Sequence, residues 1–395
     1  MKITVIANFV GDKTTNRFVC LAGMLAERGH EVELITSDFV HYTKSFRDEF
    51  DLGKDVKVTL LHETGYKKNV SLKRLRSHAR FGKEVKKHLA LSETPDLIYC
   101  AVPSLDCGVN AAKYAKEKGV PFIVDVQDLW PEAFEMVMPV PFIGKALFAP
   151  MRKKANFVYA AADEIVAVSD TYCARAKRVN GKVKKTHSVF LGSRLSGFDE
   201  NVKKNRLERK DDEIWFAYCG TLGSSYDLKC AIDALAILGV RGYDNLRFKV
   251  MGDGPLRKEF EAHADKMGVK AEFFGYMPYE KMCGMLASCD IALNPIVKGS
   301  AGSIINKHGD YAAAGIPVVN TQENEEYRAL VEEYGMGFNA ENGNAGDLAD
   351  KIETLLKDKA LCAKMGAGAR KCAEEKFDRD HSYQEIVELI EKYGK

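Results

Sequence analysis

The strongest constraint in this sequence is a repeating rhythm of short β-branched runs separated by stretches with helical apolar spacing. Residues 3–9 read as a strand. Residues 17–28 place Phe18, Leu21 and Leu25 on one helical face and stop at Gly29, and 31–37 read as the next strand. The alternation continues through 97–101, 122–126 and 164–169. Strands separated by helices in this way demand a parallel sheet covered on both faces. Between 194 and 212 the chain turns polar and reads as an interdomain linker. The rhythm then restarts, with strands at 215–219, 248–251, 271–274, 291–294 and 317–320 and helices at 228–238 and 256–267. The tail after Phe377 reads as one amphipathic helix with Tyr383, Ile386, Val387 and Ile390 on one face. The expected architecture is α/β, with two Rossmann-like domains, 1–195 and 212–377, facing each other across a cleft. The helix at 378–395 is expected to pack back on the first domain. In such sheets ligands bind at the carboxyl ends of the strands, where loops meet helix N-termini.

Composition narrows the function classes. A chain of 395 residues with 46% hydrophobic and 29% charged residues is globular, not disordered. Its 58 Lys+Arg against 56 Asp+Glu give a net charge of +2, which argues against a generic nucleic-acid binder. No apolar run is long enough to span a bilayer, and the opening MKITVIANFV reads as a first strand and not as a leader. The ten cysteines include no C-x-x-C and the nine histidines no H-x-x-x-H, so no metal site is expected. The cysteines read as buried thiols of a cytoplasmic protein.

Five segments could carry chemistry. The loop 10–17 follows the first strand without being G-x-G-x-x-G; it is either an ordinary βα loop or a place where Gly11 and Arg17 meet an anionic acceptor. Residues 124–132, with Gln127, Asp128 and Glu132, close a buried strand at the position where α/β proteins place chemistry. The competing reading is helix capping by Asp128, with Pro131 and Glu132 in the first turn. Gly220, Thr221 and Gly223 form a turn whose small residues would let backbone N–H groups approach a phosphate. Gly252 opens a second tight turn, which also reads as a plain turn before a Pro-started helix. The richest stretch is 299–319: a Gly/Ser loop through Gly302, Ser303, Ile304 and Ile305, then a helix with Asn306, Lys307 and Asp310, then Gly-Ile-Pro before a buried strand. A loop of N–H donors with a lysine suits a diphosphate, and a carboxylate one turn later suits a ribose diol. The competing reading is a surface Lys–Asp pair.

In this order, these residues resemble retaining GT-B glycosyltransferases of family 4, over essentially the whole chain. The segments 307–319, 252–255, 274–278 and 125–132 carry the likeness, and DLWPE resembles the bacterial capsule, O-antigen and exopolysaccharide branch. The resemblance implies that Asp310 grips the donor ribose, Lys307 lies beside the donor phosphates, Tyr276 to Pro278 line the nucleobase, and Gln127 replaces a histidine near the donor sugar. It also implies no catalytic metal and no cofactor beyond a nucleotide sugar, most simply a UDP-sugar. Gly302 stands at the first glutamate of the family's E-x7-E pattern, and Thr221 and Tyr226 stand where an arginine and a lysine are usual.

Residues 66–88 hold nine Lys/Arg against Glu84 alone, and 137–159 mix apolar and basic residues. This is either an interfacial surface or a set of solvated helix faces. The first reading implies a polyprenyl-diphosphate-linked saccharide acceptor, an anionic membrane surface as partner, and a peripheral location at the inner face of the cell membrane. The function expected is therefore transfer of a hexose or N-acetylhexosamine in surface polysaccharide biosynthesis. The alternatives are a family member that binds nucleotide or saccharide without turnover, and a UDP-sugar 2-epimerase.

Overall fold

The computed structural model describes residues 1–11, 16–53, 55–137, 146–209, 212–299 and 304–394, with the side chains of 136 and 137 left aside. In the first half, β1 (Lys2–Ile6) and β2 (Glu31–Ser37) are followed by a small hairpin, β3 (Phe39–Val40) and β4 (Ser45–Phe46). Then come β5 (Val56–Leu61), β6 (Leu97–Val102), β7 (Phe122–Val126), β8 (Glu164–Ala167) and β9 (His187–Ser188). These form a parallel sheet in the order β5-β2-β1-β6-β7-β8-β9, with β3 and β4 set apart. Every residue of β6 and β7 is buried, as a sheet covered on both faces requires.

The second half repeats the plan with β10 (Ile214–Cys219), β11 (Leu246–Met251), β12 (Ala271–Gly275), β13 (Ile291–Asn294), β14 (Val318–Asn320) and β15 (Gly337–Asn339). Their order is β12-β11-β10-β13-β14-β15, again parallel. The ends of β10 and β11 approach so closely that a Cβ on Gly252, at φ +153°, would lie 1.8 Å from the Gly220 carbonyl oxygen. Only glycine fits there. Gly220, whose N–H donates to the Met251 carbonyl, and Gly252 are thus needed by the sheet itself.

The chain divides into one unit of Met1–Phe190 with Tyr383–Lys395, and a second of Leu191–Ser382. The sequence-based boundaries 1–195, 212–377 and 378–395 shift accordingly. The stretch expected to be a linker contains the helix Leu195–Asn205, which belongs to the second unit and buries Leu195 and Phe198. Two anchors one turn apart suffice, because this helix packs on the helix Tyr279–Leu286 at a point where Gly284 leaves room for the Asn205 carbonyl. The tail is also not one helix. Asp378 is extended and pairs with Ser193, which splits the tail into Arg379–Ser382 in the second unit and Gln384–Glu391 in the first. Ile386, Val387 and Ile390 of the latter join the core beside β1.

Phe198 is 1% exposed. Phe198→Ala is expected to cost about 3 kcal/mol, read as a lowered unfolding midpoint in denaturant. A loss below about 0.5 kcal/mol, the surface value, would return this segment to a linker.

Candidate functional site

Lys307 lies at the second position of the helix Asn306–Ala313 and is buried, with its ammonium inside the second unit. Nζ sits 4.2 Å from the centre of the Tyr218 ring and 3.9 Å from that of Tyr226. It has no hydrogen-bond partner among the described residues. A Cβ at Gly220 would lie 3.4 Å from it, so the ammonium reaches the turn after β10. Burial without a counter-charge pushes its pKa down to about 7. The two faces of π density offset part of the desolvation, at about 2 kcal/mol or less each.

Asp310 does not pair with it. Its Oδ1 accepts from Ser193 Oγ at 2.9 Å and from Tyr279 Oη at 2.9 Å, and burial raises its pKa. A surface Lys–Asp pair is therefore excluded, because both side chains are buried and they face different partners. Ile304 is buried. The Ile305 N–H, expected among the phosphate donors, is taken by His308 Nδ1 at 3.3 Å. His308 is itself buried and stacked on Tyr327 at 3.5 Å. The N–H groups of Asn306 and Lys307 open the helix and have no intrahelical acceptor. Gly302 and Ser303 lie outside the described residues. Thr221 is exposed and accepts from the Tyr218 hydroxyl through its carbonyl at 2.8 Å, and Gly223 is half-buried. Tyr276 is 85% exposed and Pro278 precedes the helix Tyr279–Leu286, both just beyond the end of β12.

In the first unit, Asp125 at the end of β7 is the hub. It accepts from Tyr99 Oη at 2.6 Å and Gln127 Nε2 at 2.6 Å, and pairs with Arg17 Nε at 2.8 Å. Arg17 is 2% exposed and also donates to the Val189 carbonyl. It is therefore not free to meet an acceptor anion; the buried carboxylate claims it. Glu132 is paired with Arg175. The Asp128 carboxylate accepts from the Leu129 N–H and from Trp130 Nε1 at 3.0 Å, and burial raises its pKa. Asp128 thus orients an indole, and the helix that follows begins only at Glu132. At Gly11 the exposed Tyr42 ring packs against the backbone, where a Cβ would lie 2.8 Å from it.

Beside this hub stands a group that the sequence did not single out. His78 stacks on Trp130 with ring centres 5.4 Å apart, Arg74 Cζ lies 4.6 Å from the Trp130 ring centre, and Phe9, His41 and Tyr66 complete the cluster. Burial keeps both histidines neutral, pushing His41 down to about 4 and His78 to about 3.

Two family models match the chain: "Glycosyltransferase Family 4" over 15–190 and "Glycosyl transferases group 1" over 199–372. Between them they take in both units.

The chain belongs to the family 4 glycosyltransferases.

The proposed glycosyltransferase EpsD of Bacillus subtilis (strain 168) is 23% identical over 308 residues, 75% of this chain and 77% of that one. Anabaena Alr3699/HepE, solved in complex with UDP, is 17% identical with a TM-score of 0.72, covering 99% of this chain and 100% of that chain. WaaG, a glycosyltransferase involved in lipopolysaccharide biosynthesis, is 18% identical with a TM-score of 0.67, covering 99% of each. These likenesses establish the GT-B fold.

In this glycosyltransferase, then, the structure brings Gly220 and Lys307 together and sets Asp310 apart from them. The missed partner is Tyr218, whose place on a strand running into the glycine turn was its only signal. Among the described residues no group of three His, Cys, Asp or Glu could hold a metal ion.

The Lys307 ammonium has a stability signature. The unfolded chain holds this proton with an ordinary lysine pKa near 10.5 and the folded protein with one near 7, so folding releases it in between. Lys307 therefore adds stability as pH rises through that window. Relative to Lys307→Met, the wild type is expected to gain about 1.4 kcal/mol per pH unit between roughly pH 7.5 and 9.5. A flat difference in denaturant unfolding would mean that the ammonium already has a counter-charge.

Proposed function

We propose that this glycosyltransferase moves a hexosyl or N-acetylhexosaminyl group from a UDP-sugar to a lipid-linked saccharide, with retention of anomeric configuration and without a metal. The observation that carries the reading is the ammonium of Lys307, buried beside the turn after β10 without a counter-anion among the described residues. A diphosphate supplies the missing charge. The turn has Thr221 and Tyr226 where the family resemblance would place cations, and Lys307 brings its ammonium to that turn from the helix Asn306–Ala313. The N–H groups of Asn306 and Lys307 at the positive end of the helix would hold further phosphate oxygens. Asp310 keeps Oδ2 for a ribose hydroxyl, its Oδ1 being held by Ser193 and Tyr279. The exposed Tyr276 ring offers a face to the base. HepE, solved with UDP and with UDP-glucose, supports the choice of nucleotide.

In this mechanism the bond from the anomeric carbon to the diphosphate breaks, and charge grows on the leaving oxygen. Lys307 and the aligned N–H groups stabilise that charge. The acceptor hydroxyl attacks from the same face and gives its proton to the departing phosphate. The first unit supplies the acceptor side. Gln127, fixed by Asp125, and Asp128, fixed to Trp130, would present polar atoms there. WaaG's part in lipopolysaccharide biosynthesis supports an acceptor from the surface polysaccharides, reached at the inner face of the membrane.

The test is turnover of a panel of UDP-hexoses and UDP-N-acetylhexosamines in EDTA, with products read by NMR. The expected product keeps the donor's anomeric configuration, and Lys307→Ala lowers kcat about 100-fold or more. An inverted product would contradict the mechanism, a 2-epimer would make the protein an epimerase, and UDP binding without any product would make it a binding module.

A further inference from the structure

Two cavities of the first unit adjoin at Ser71, the residue that caps the helix Leu72–Leu91. One, of about 720 Å3, is rimmed by Lys44, Lys67, Lys68, Lys73 and Arg76. No carboxylate lines it, and none of these five cations forms a salt bridge to one among the described residues. Five cations in one concavity repel one another and raise the local concentration of anions. The other cavity, of about 550 Å3, is walled mainly by apolar side chains. Four of its lining residues, Val70, Leu72, Leu75 and Leu147, are exposed large apolar side chains, at 49%, 72%, 37% and 59%. Trp130 and Phe134 form part of its wall, so it abuts the aromatic cluster described above. Scattered exposed apolar side chains need no explanation, whereas four lining one groove beside a cationic pocket without a paired carboxylate among the described residues form a surface with two chemistries.

We propose that these two cavities form one binding site for a single-chain lipid diphosphate, with the diphosphate in the cationic pocket and the first prenyl units in the groove. The inference rests on the lipid-linked acceptor reading and adds to it the residues that hold the carrier. Charge complementarity selects an anionic head, and the groove's position across Ser71 selects a chain attached directly to that head. A free nucleotide or sugar phosphate would leave the four apolar residues in water. The arrangement places the carrier lipid on the first unit, while the donor diphosphate is held on the second by Lys307.

The experiment is calorimetry on the full chain in EDTA with UDP present at saturation, so that the donor site is filled. The probes are farnesyl diphosphate below its micelle concentration, inorganic diphosphate, farnesol, and phosphatidylglycerol vesicles. Farnesyl diphosphate is expected to bind at one site, at least about tenfold more tightly than either inorganic diphosphate or farnesol. Lys68→Glu/Lys73→Glu and Leu72→Ser/Leu75→Ser should each weaken it about tenfold or more, with UDP affinity unchanged. All four positions are exposed, so neither variant threatens folding. Farnesyl diphosphate no tighter than inorganic diphosphate, or indifferent to the Leu72/Leu75 pair, overturns the proposal. So does vesicle binding lost in both variants with no binding of the soluble probe, which would make the surface a membrane contact. If UDP binds and sugars are transferred but farnesyl diphosphate fails, the inference falls and the enzymatic reading stands. If the probe binds as described but no lipid-linked saccharide is glycosylated, the acceptor reading falls and the site stands.

Discussion

An ammonium set against two tyrosine rings, with nothing among the described residues to neutralise it, is the constraint around which the second unit is organised. Burying Lys307 is costly, and nothing on its own helix relieves it, because Asp310 faces Ser193 and Tyr279. The surroundings also prevent it from swinging out. Tyr311, on the same helix, accepts from the Cys219 N–H at 3.0 Å and donates to the Leu293 carbonyl at 3.2 Å, which locks the helix to β10 and β13. His308 stacks on Tyr327, and Tyr218 is held to the glycine turn through the Thr221 carbonyl. A cation held in this way, with no partner among the described residues, suits a ligand that brings the opposite charge, and its lowered pKa is the free-energy record of its burial.

The first unit treats buried charge in the opposite manner. Arg17 and Asp125 are both inside, but they are paired, and Tyr99 and Gln127 take the remaining capacity of the carboxylate. Burial alone would weaken the Arg17 charge, and the Asp125 carboxylate outweighs it, so its pKa is raised. Breaking such a pair is expensive, whereas the pair itself is worth little, so its role is to fix geometry. It sets the direction of Gln127 at the end of β7, next to the indole that Asp128 holds. Among the described residues, one unit thus leaves a buried charge unpaired, and the other pairs its buried charges and so fixes neutral groups.

Most strands of the two parallel sheets were legible because buried parallel strands announce themselves as apolar runs, unbroken in β6 and β10 and interrupted in β7 only by Asp125. Elements whose burial is partial were not. The edge strand β5 alternates too weakly to stand out, and β15 is only three residues long. The helix Leu195–Asn205 has a polar sequence because just two of its side chains are anchors. Lys307 and Gly220 were legible as parts of one site because spacing and glycine placement constrain the backbone. The partners of Arg17 and Asp310 were not, because Asp125 lies 108 positions from one and Ser193 lies 117 from the other, distances no local pattern reports. The cage of Tyr66, Arg74, His78 and Trp130 escaped for the same reason, assembled as it is from three separate segments.

The most direct test is to follow the Lys307 side-chain resonances by NMR with labelled lysine, through a pH titration with and without UDP, using Lys307→Arg for assignment. The account predicts titration near pH 7 in the free protein and a shift upward by two or more units when UDP is bound, about 3 kcal/mol of added interaction or more. Titration near 10.5 in the free protein, unmoved by UDP, would contradict it.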